Sequence, residues 1–144
     1  MVTKLCRLFI ICVLASAALQ VNASQPVTTE TLEGAWELVS YDTADGQPEV
    51  NGLQLMQDGH FSIAYEQTFP AGELSARSHA GTYRADGNQI TYNVRWWVQH
   101  VVGEDAIISS TSVSPEFDYD GINLKLRFSN GNSQHWRRVE PQTK

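Results

Sequence analysis

Six times along the chain an aspartate or asparagine is followed directly by glycine: Asp45-Gly46, Asn51-Gly52, Asp58-Gly59, Asp86-Gly87, Asp120-Gly121 and Asn130-Gly131. Such pairs tolerate the positive backbone angles that tight hairpin turns demand. A chain punctuated this way is committed to short segments that fold back on themselves. Between the turns, sidedness repeats every two residues. Phe61, Ile63 and Tyr65 alternate with Ser62 and Ala64; Ile90, Tyr92, Val94 and Trp96 alternate with Thr91, Asn93 and Arg95; Ile122, Leu124, Leu126 and Phe128 alternate with Asn123, Lys125 and Arg127. Each series is a half-buried antiparallel strand. Strands also fit Ala35 to Tyr41, Leu53 to Met56, Ser78 to Arg84, Ile107 to Val113 and Ser133 to Val139, about eight in all. No window carries a long apolar stripe at helical period. Residues 67–77, with Pro70 and Gly72, read as the longest loop, and 141–144 as a loose tail.

Eight short strands with one apolar face each are buried either as a sandwich or by closure into a barrel, and closure also removes exposed edges. The expectation is therefore an all-β fold: an eight-stranded antiparallel up-and-down barrel over residues 32–140, after a polar lead-in at 24–31. In a closed meander the first strand pairs with the last, so "GAWELVS" lies beside "SQHWRRVE". Gly34 allows a close approach at the barrel's end, and Trp36 turns inward to plug it. An arginine of the last strand then lies on the indole. Parity pairs an inward Trp136 with Arg138, or an inward His135 with Arg137. The first is favoured because a tryptophan removes more apolar surface from water.

Gly34-x-Trp36 followed by "LVS", the central "AGTYRADGNQITYNV" and the closing "WRRV" together resemble the lipocalin-like domain family of the calycin superfamily, across roughly Leu32 to Val139. The resemblance implies a barrel with a cavity for a small apolar molecule and a structural role for Gly34, Trp36 and the closing arginine. It brings no catalytic residues. The stretch from Arg95 to Gly121 departs from the family's commoner pattern, so no ligand identity is carried over.

The first residues carry Lys4 and Arg7, an apolar run from Leu8 to Leu19, and Val21-Asn22-Ala23, the pattern of a secretory signal over 1–23. The run is short for a membrane span. Both cysteines, Cys6 and Cys12, fall inside it, so the remaining chain has no thiol or disulfide. Two of the ten Lys and Arg go with the signal, leaving eight against sixteen Asp and Glu, a net −8. An acidic surface whose only adjacent cations are Arg137 and Arg138 is a poor match for nucleic acid. The expected product is secreted or periplasmic, a monomer or weak dimer, not inserted in the membrane after cleavage.

No catalytic constellation is expected. His60, His79, His100 and His135 show no metal-ligand spacing, and none is assigned to a metal. Glu104-Asp105, Glu116 and Asp118-Tyr119-Asp120 read as acidic turns, lacking the register of a calcium loop. Ser109 to Ser112 has no nucleophile elbow. The residues expected to line the lumen and meet a small hydrophobic or amphipathic ligand are Phe61, Ile63, Tyr65, Tyr92, Val94, Trp96, Leu124, Leu126 and His135, with Trp97 on the opposite face and no cofactor. Two alternatives stand beside ligand carriage: an isomerase or cyclase using an inward His or Tyr, or an envelope interaction module with a filled core and an exposed aromatic patch.

Overall fold

Eight strands close into a single antiparallel ring in the computed structural model, which describes residues 26–140. The signal expected at 1–23 and the tail at 141–144 lie outside the described residues. The elements are β1 (Val27–Thr28), a 3-10 turn (Glu30–Leu32), β2 (Gly34–Asp42), β3 (Glu49–Gln57), β4 (His60–Thr68), β5 (Leu74–Gly87), β6 (Gln89–Val101), β7 (Ile107–Val113), β8 (Glu116–Tyr119), β9 (Asn123–Arg127) and β10 (Ser133–Arg138). The ring runs β2-β3-β4-β5-β6-β8-β9-β10 and back to β2, every join antiparallel. It is an up-and-down barrel.

The membership of the ring differs from the sequence reading. All eight expected strands form, but β7 is not in the closed wall; β8, in a stretch read as acidic turn, takes its place. Both lie against the same long strand. Residues Tyr92 to Gln99 of β6 pair with β7, and its first residue, Gln89, pairs with Glu116 of β8. Between them stands Pro115, which offers no N–H to the ladder, and there the chain leaves β6 and turns to β9. Among the described residues β7 has one neighbour and a free edge.

Other expectations are corrected too. Residues 67–77 are not a long loop: β4 runs through Thr68, β5 begins at Leu74, and a short turn closes with Phe69 N donating to Glu73 O at 2.9 Å. Asn51-Gly52 is not a turn. Gly52 lies within β3 opposite Tyr65, whose Cβ would sit 2.4 Å from a Cβ at position 52. Ile122 precedes β9 and is exposed, because Asp120 Oδ1 accepts from the amides of Ile122 (3.0 Å) and Asn123 (2.7 Å) and starts the strand one residue later.

The described part of the lead-in, residues 26–31, belongs to the barrel. Val27 and Thr28 pair with the end of β5, and Leu32 is fully buried as a plug under the ring. Trp36 Nε1 donates to Leu32 O at 3.0 Å, and Tyr83 Oη donates to Thr29 O at 2.9 Å.

Above that plug the first and last strands meet. Arg138 lies opposite Trp36 in the β2–β10 register, with its guanidinium carbon 4.3 Å from the indole centre. It donates from Nη2 to Thr31 O (2.8 Å), from Nε to Gly121 O (3.2 Å) and from Nη1 to Glu33 O. The approach at Gly34 is made by this side chain, not by backbone. A Cβ there would meet Arg138 Nη1 at 2.8 Å, and φ is +131°; glycine alone satisfies both conditions. Trp136, fully buried, shares Arg138's face of β10.

Arg138→Gln removes the stacked cation and its carbonyl bonds and should cost about 3 kcal/mol of unfolding free energy in urea titration. Arg138→Lys, which keeps the charge without the planar fork, should recover no more than about a third of that. A glutamine variant within about 0.5 kcal/mol of the parent would show that the guanidinium does not hold the barrel closed.

Candidate functional site

Facing strands layer the lumen. In the β4–β5–β6 register, Phe61 meets Gly81 and Val94; one layer up, Ile63 meets His79 and Trp97; above that, Tyr65 meets Arg77 and Gln99. The lower layer is apolar and the upper layers carry nitrogen and oxygen. Over the plugged end the core is solid, with Leu32, Trp36, Leu124 and Trp136 fully buried. Higher up a cavity of about 190 Å³ is left unfilled.

Six of the residues expected at the lumen line this cavity: Phe61, Ile63, Tyr65, Tyr92, Val94 and Leu126. Phe61 and Tyr92 stand edge to face at 5.0 Å, and Tyr41 and Tyr65 at 6.0 Å. Leu124 is buried in the solid part of the core and does not reach it.

Two expected residues are elsewhere. Trp96 is 60% exposed on the outside. Arg95 has no partner on β5, since Ala80 pairs with Trp96 and Gly81 with Val94. That extra residue is a bulge, and it exchanges the faces of everything after it. Trp97, expected outside, lines the cavity instead. Gly81 permits the close approach: a Cβ there would fall 2.0 Å from Asn93 O. His135 points away from the lumen, since β10 turns Gln134 and Trp136 inward. Its Nε2 lies 3.0 Å from Asn123 Oδ1. Burial first, then the charges of Lys125 and Arg137, hold its pKa below the usual value.

Sequence reasoning missed the apolar rim residues Val113 and Phe128 and, with more consequence, the polar residues of the lining. Arg77, His79 and Trp97 line the cavity, and Arg77 Nε, His79 Nε2 and Trp97 Nε1 are buried without a hydrogen-bond partner. Arg77 is in none of the ion pairs formed among the described residues. The imidazole of His79 packs edge to face between Tyr65 (5.7 Å) and Trp97 (5.6 Å). A signal existed: stepping back by twos from the inward Tyr83 reaches Gly81, His79 and Arg77. Assigning 67–77 to a loop cut that series short.

Burial, with the Arg77 charge second, lowers the His79 pKa to about 4, so the ring is neutral at pH 7. Burial pushes the Tyr65 hydroxyl up to about 12, and Tyr92, which accepts a 3.4 Å bond from Gln54 Nε2, is also raised by burial. The lumen therefore holds one fixed positive charge, at Arg77, and neutral donors around it. Its open side lies between the free edge of β7, which contributes Thr111 and Val113, and the Phe128–Asn132 turn, which contributes Phe128, Asn130 and Asn132.

The acidic stretch after Pro115 is otherwise occupied. Glu116 and Asp118 pair with Arg127, and the turn amides hold the Asp120 carboxyl at about 2. No group of three His, Cys, Asp or Glu side chains gathers among the described residues. A wider concavity of about 810 Å³ lies on the outer face, past Glu37, Leu53, Ala64, Glu66, Val98 and His100, but it is shallow and open. No family model, curated protein or solved structure matches the chain.

Because the unfolded chain binds a proton on His79 near the ordinary 6.5 and the folded chain only near 4, the unfolded state holds more protons between those values. Stability should therefore fall as pH drops through that window, by up to about 3 kcal/mol, and the loss should level off below it. Urea midpoints of parent and His79→Phe, measured from pH 7.5 to 3.5, should diverge over that interval. An imidazole proton resonance of His79 titrating near 6.5 would contradict the burial.

Proposed function

We propose that this is a secreted or periplasmic, lipocalin-like barrel that takes a small hydrophobic or amphipathic molecule into its lumen. The observation that carries the reading is the unfilled cavity: a space of about 190 Å³, walled by Phe61, Ile63, Tyr92 and Val94, above a base occupied by the fully buried Leu32, Trp36, Leu124 and Trp136. Protein interiors rarely leave such room without use. Its size sets the class of ligand. A cavity of about 150 Å³ accommodates benzene, so this one suits a single ring or a short chain rather than a long-chain lipid.

The enzyme reading draws on His79, an inward titratable group with no paired partner. A base whose pKa is near 4 has little driving force at neutral pH, and tyrosines raised by burial are weak acids. The geometry favours binding over turnover. The interaction-module reading requires a filled core, and the cavity speaks against it; the exposed aromatic on β6 is Trp96 in place of Trp97.

Single-ring compounds should bind at micromolar to millimolar Kd and quench Trp97 fluorescence, while sixteen-carbon chains should not bind. Val113→Phe at the rim should weaken that binding at least ten-fold with an unchanged urea midpoint. Failure of every compound to bind or shift the melting temperature, together with no small adduct by native mass spectrometry of protein from its own host, would overturn the reading. Protein recovered from outside the cytoplasm should begin at Ser24; recovery with Met1 intact would remove the secretion proposal.

A further inference from the structure

We infer that the lumen selects an anion: a small monocarboxylic acid, with its apolar body against Phe61, Ile63 and Tyr92 and its carboxylate on Arg77, assisted by Trp97 and His79. The inference rests on the lumen reading above and adds the charge of its ligand.

A guanidinium cannot shed its proton, so Arg77, half-buried in the wall, stays charged. Its Nε is sealed from solvent without a partner, and no ion pair among the described residues includes it. A half-buried charge without a counter-charge, with one of its donors sealed from water, carries part of the cost of desolvation. The side chains nearest to it do not supply one. Tyr65, opposite it on β4, is held protonated by burial, and His79, two residues along β5, is neutral at pH 7. Glu66, the carboxylate beside Tyr65 on β4, is exposed on the other face of the sheet.

Two further groups point to the same ligand chemistry. Trp97 Nε1 is a pure donor, and in this structure it donates to nothing. His79 Nε2 is equally unpartnered and serves as a donor in one tautomer. Three nitrogens on two adjacent strands thus await an acceptor, and one of them brings a full positive charge. A carboxylate matches this set: it accepts only, it takes a planar bidentate bond from arginine, and its single charge balances a single cation. A dianionic phosphate would bring more charge than one arginine offsets. The layering sets the orientation, with apolar residues at the level of Phe61 and the nitrogens at the levels of His79 and Arg77.

The test is a matched pair of probes, phenylacetate and phenylacetamide, alike in shape and different in charge, titrated calorimetrically against parent and Arg77→Gln at pH 7.5. The acid should bind the parent about ten- to hundred-fold more tightly than the amide, the span of one charge-assisted hydrogen-bonded pair. Arg77→Gln should abolish that preference and leave amide affinity within about three-fold. Trp97→Phe should lower acid affinity more than amide affinity. Equal binding of both probes to the parent would overturn the anion inference and leave the lumen reading standing; binding of neither would overturn both. Equal loss of acid and amide affinity in Arg77→Gln would make Arg77 a structural residue only. Should that variant fail to fold, the comparison on the parent protein decides the matter alone.

Discussion

The contact between Arg138 and Trp36 is the constraint on which the rest of this barrel depends. An antiparallel meander has two loose ends, and nothing in the local chemistry of its hairpins brings them together. The first and last strands must find each other across the full length of the domain. Here the rendezvous is fixed by one cation that lies over a buried indole and donates to the carbonyls of Thr31, Glu33 and Gly121. Those carbonyls belong to the lead-in and to the turn before β9, so a single side chain joins three segments. An indole of roughly 200 Å² is worth about 5 kcal/mol when buried, and Trp36 and Trp136 are both fully buried beside this junction. The floor is therefore filled by large, fully buried side chains.

Density at one end leaves the other end free to be different. The ring is closed firmly by β2 and β10, and thinly on the opposite side, where β6 meets β8 at Gln89 and Glu116 alone. Above that point β6 carries β7 instead, and β7 has a free edge. Most of β7 is exposed, including Ile107 and Ile108. The barrel thus consists of a sealed base and an extended upper wall made by β3, β4, β5, β6 and β7. The cavity sits where the two regimes meet. Its lower lining belongs to the base, and its polar lining of Arg77, His79 and Trp97 belongs to the upper wall.

That division explains which parts of the site were legible in the sequence. Phe61, Ile63, Tyr65, Tyr92, Val94 and Leu126 stand in uninterrupted alternating series, and alternation alone assigns their face. Trp96 stands just past a bulge, and the same rule placed it on the wrong side. His135 was placed among the ligand contacts although the inward choice of Trp136 turns it outward. Arg77 and His79 belong to an alternating series as regular as any other; His79 fell inside the expected strand from Ser78, but Arg77 was hidden because Pro70 and Gly72 made its segment look like a loop. The turn there is short, and β5 resumes before the series reaches Arg77.

By itself the sequence determined the all-β character, the positions of most strands, the meander order and the pairing of the two ends. These follow from side-chain alternation, from turn residues that accept positive φ, and from the pairing that closure imposes on first and last strands. Only the tertiary structure decided which of β7 and β8 completes the ring, which tryptophan faces the lumen, that residues 27–32 plug the floor, and that an arginine with no ion-pair partner among the described residues stands at the cavity. The reason is register. A single extra residue, such as Arg95 opposite the Ala80–Gly81 step, inverts every side chain beyond it. Whether a strand accommodates that residue is settled by the close approach of its neighbour, here at Gly81, where a Cβ would meet the Asn93 carbonyl.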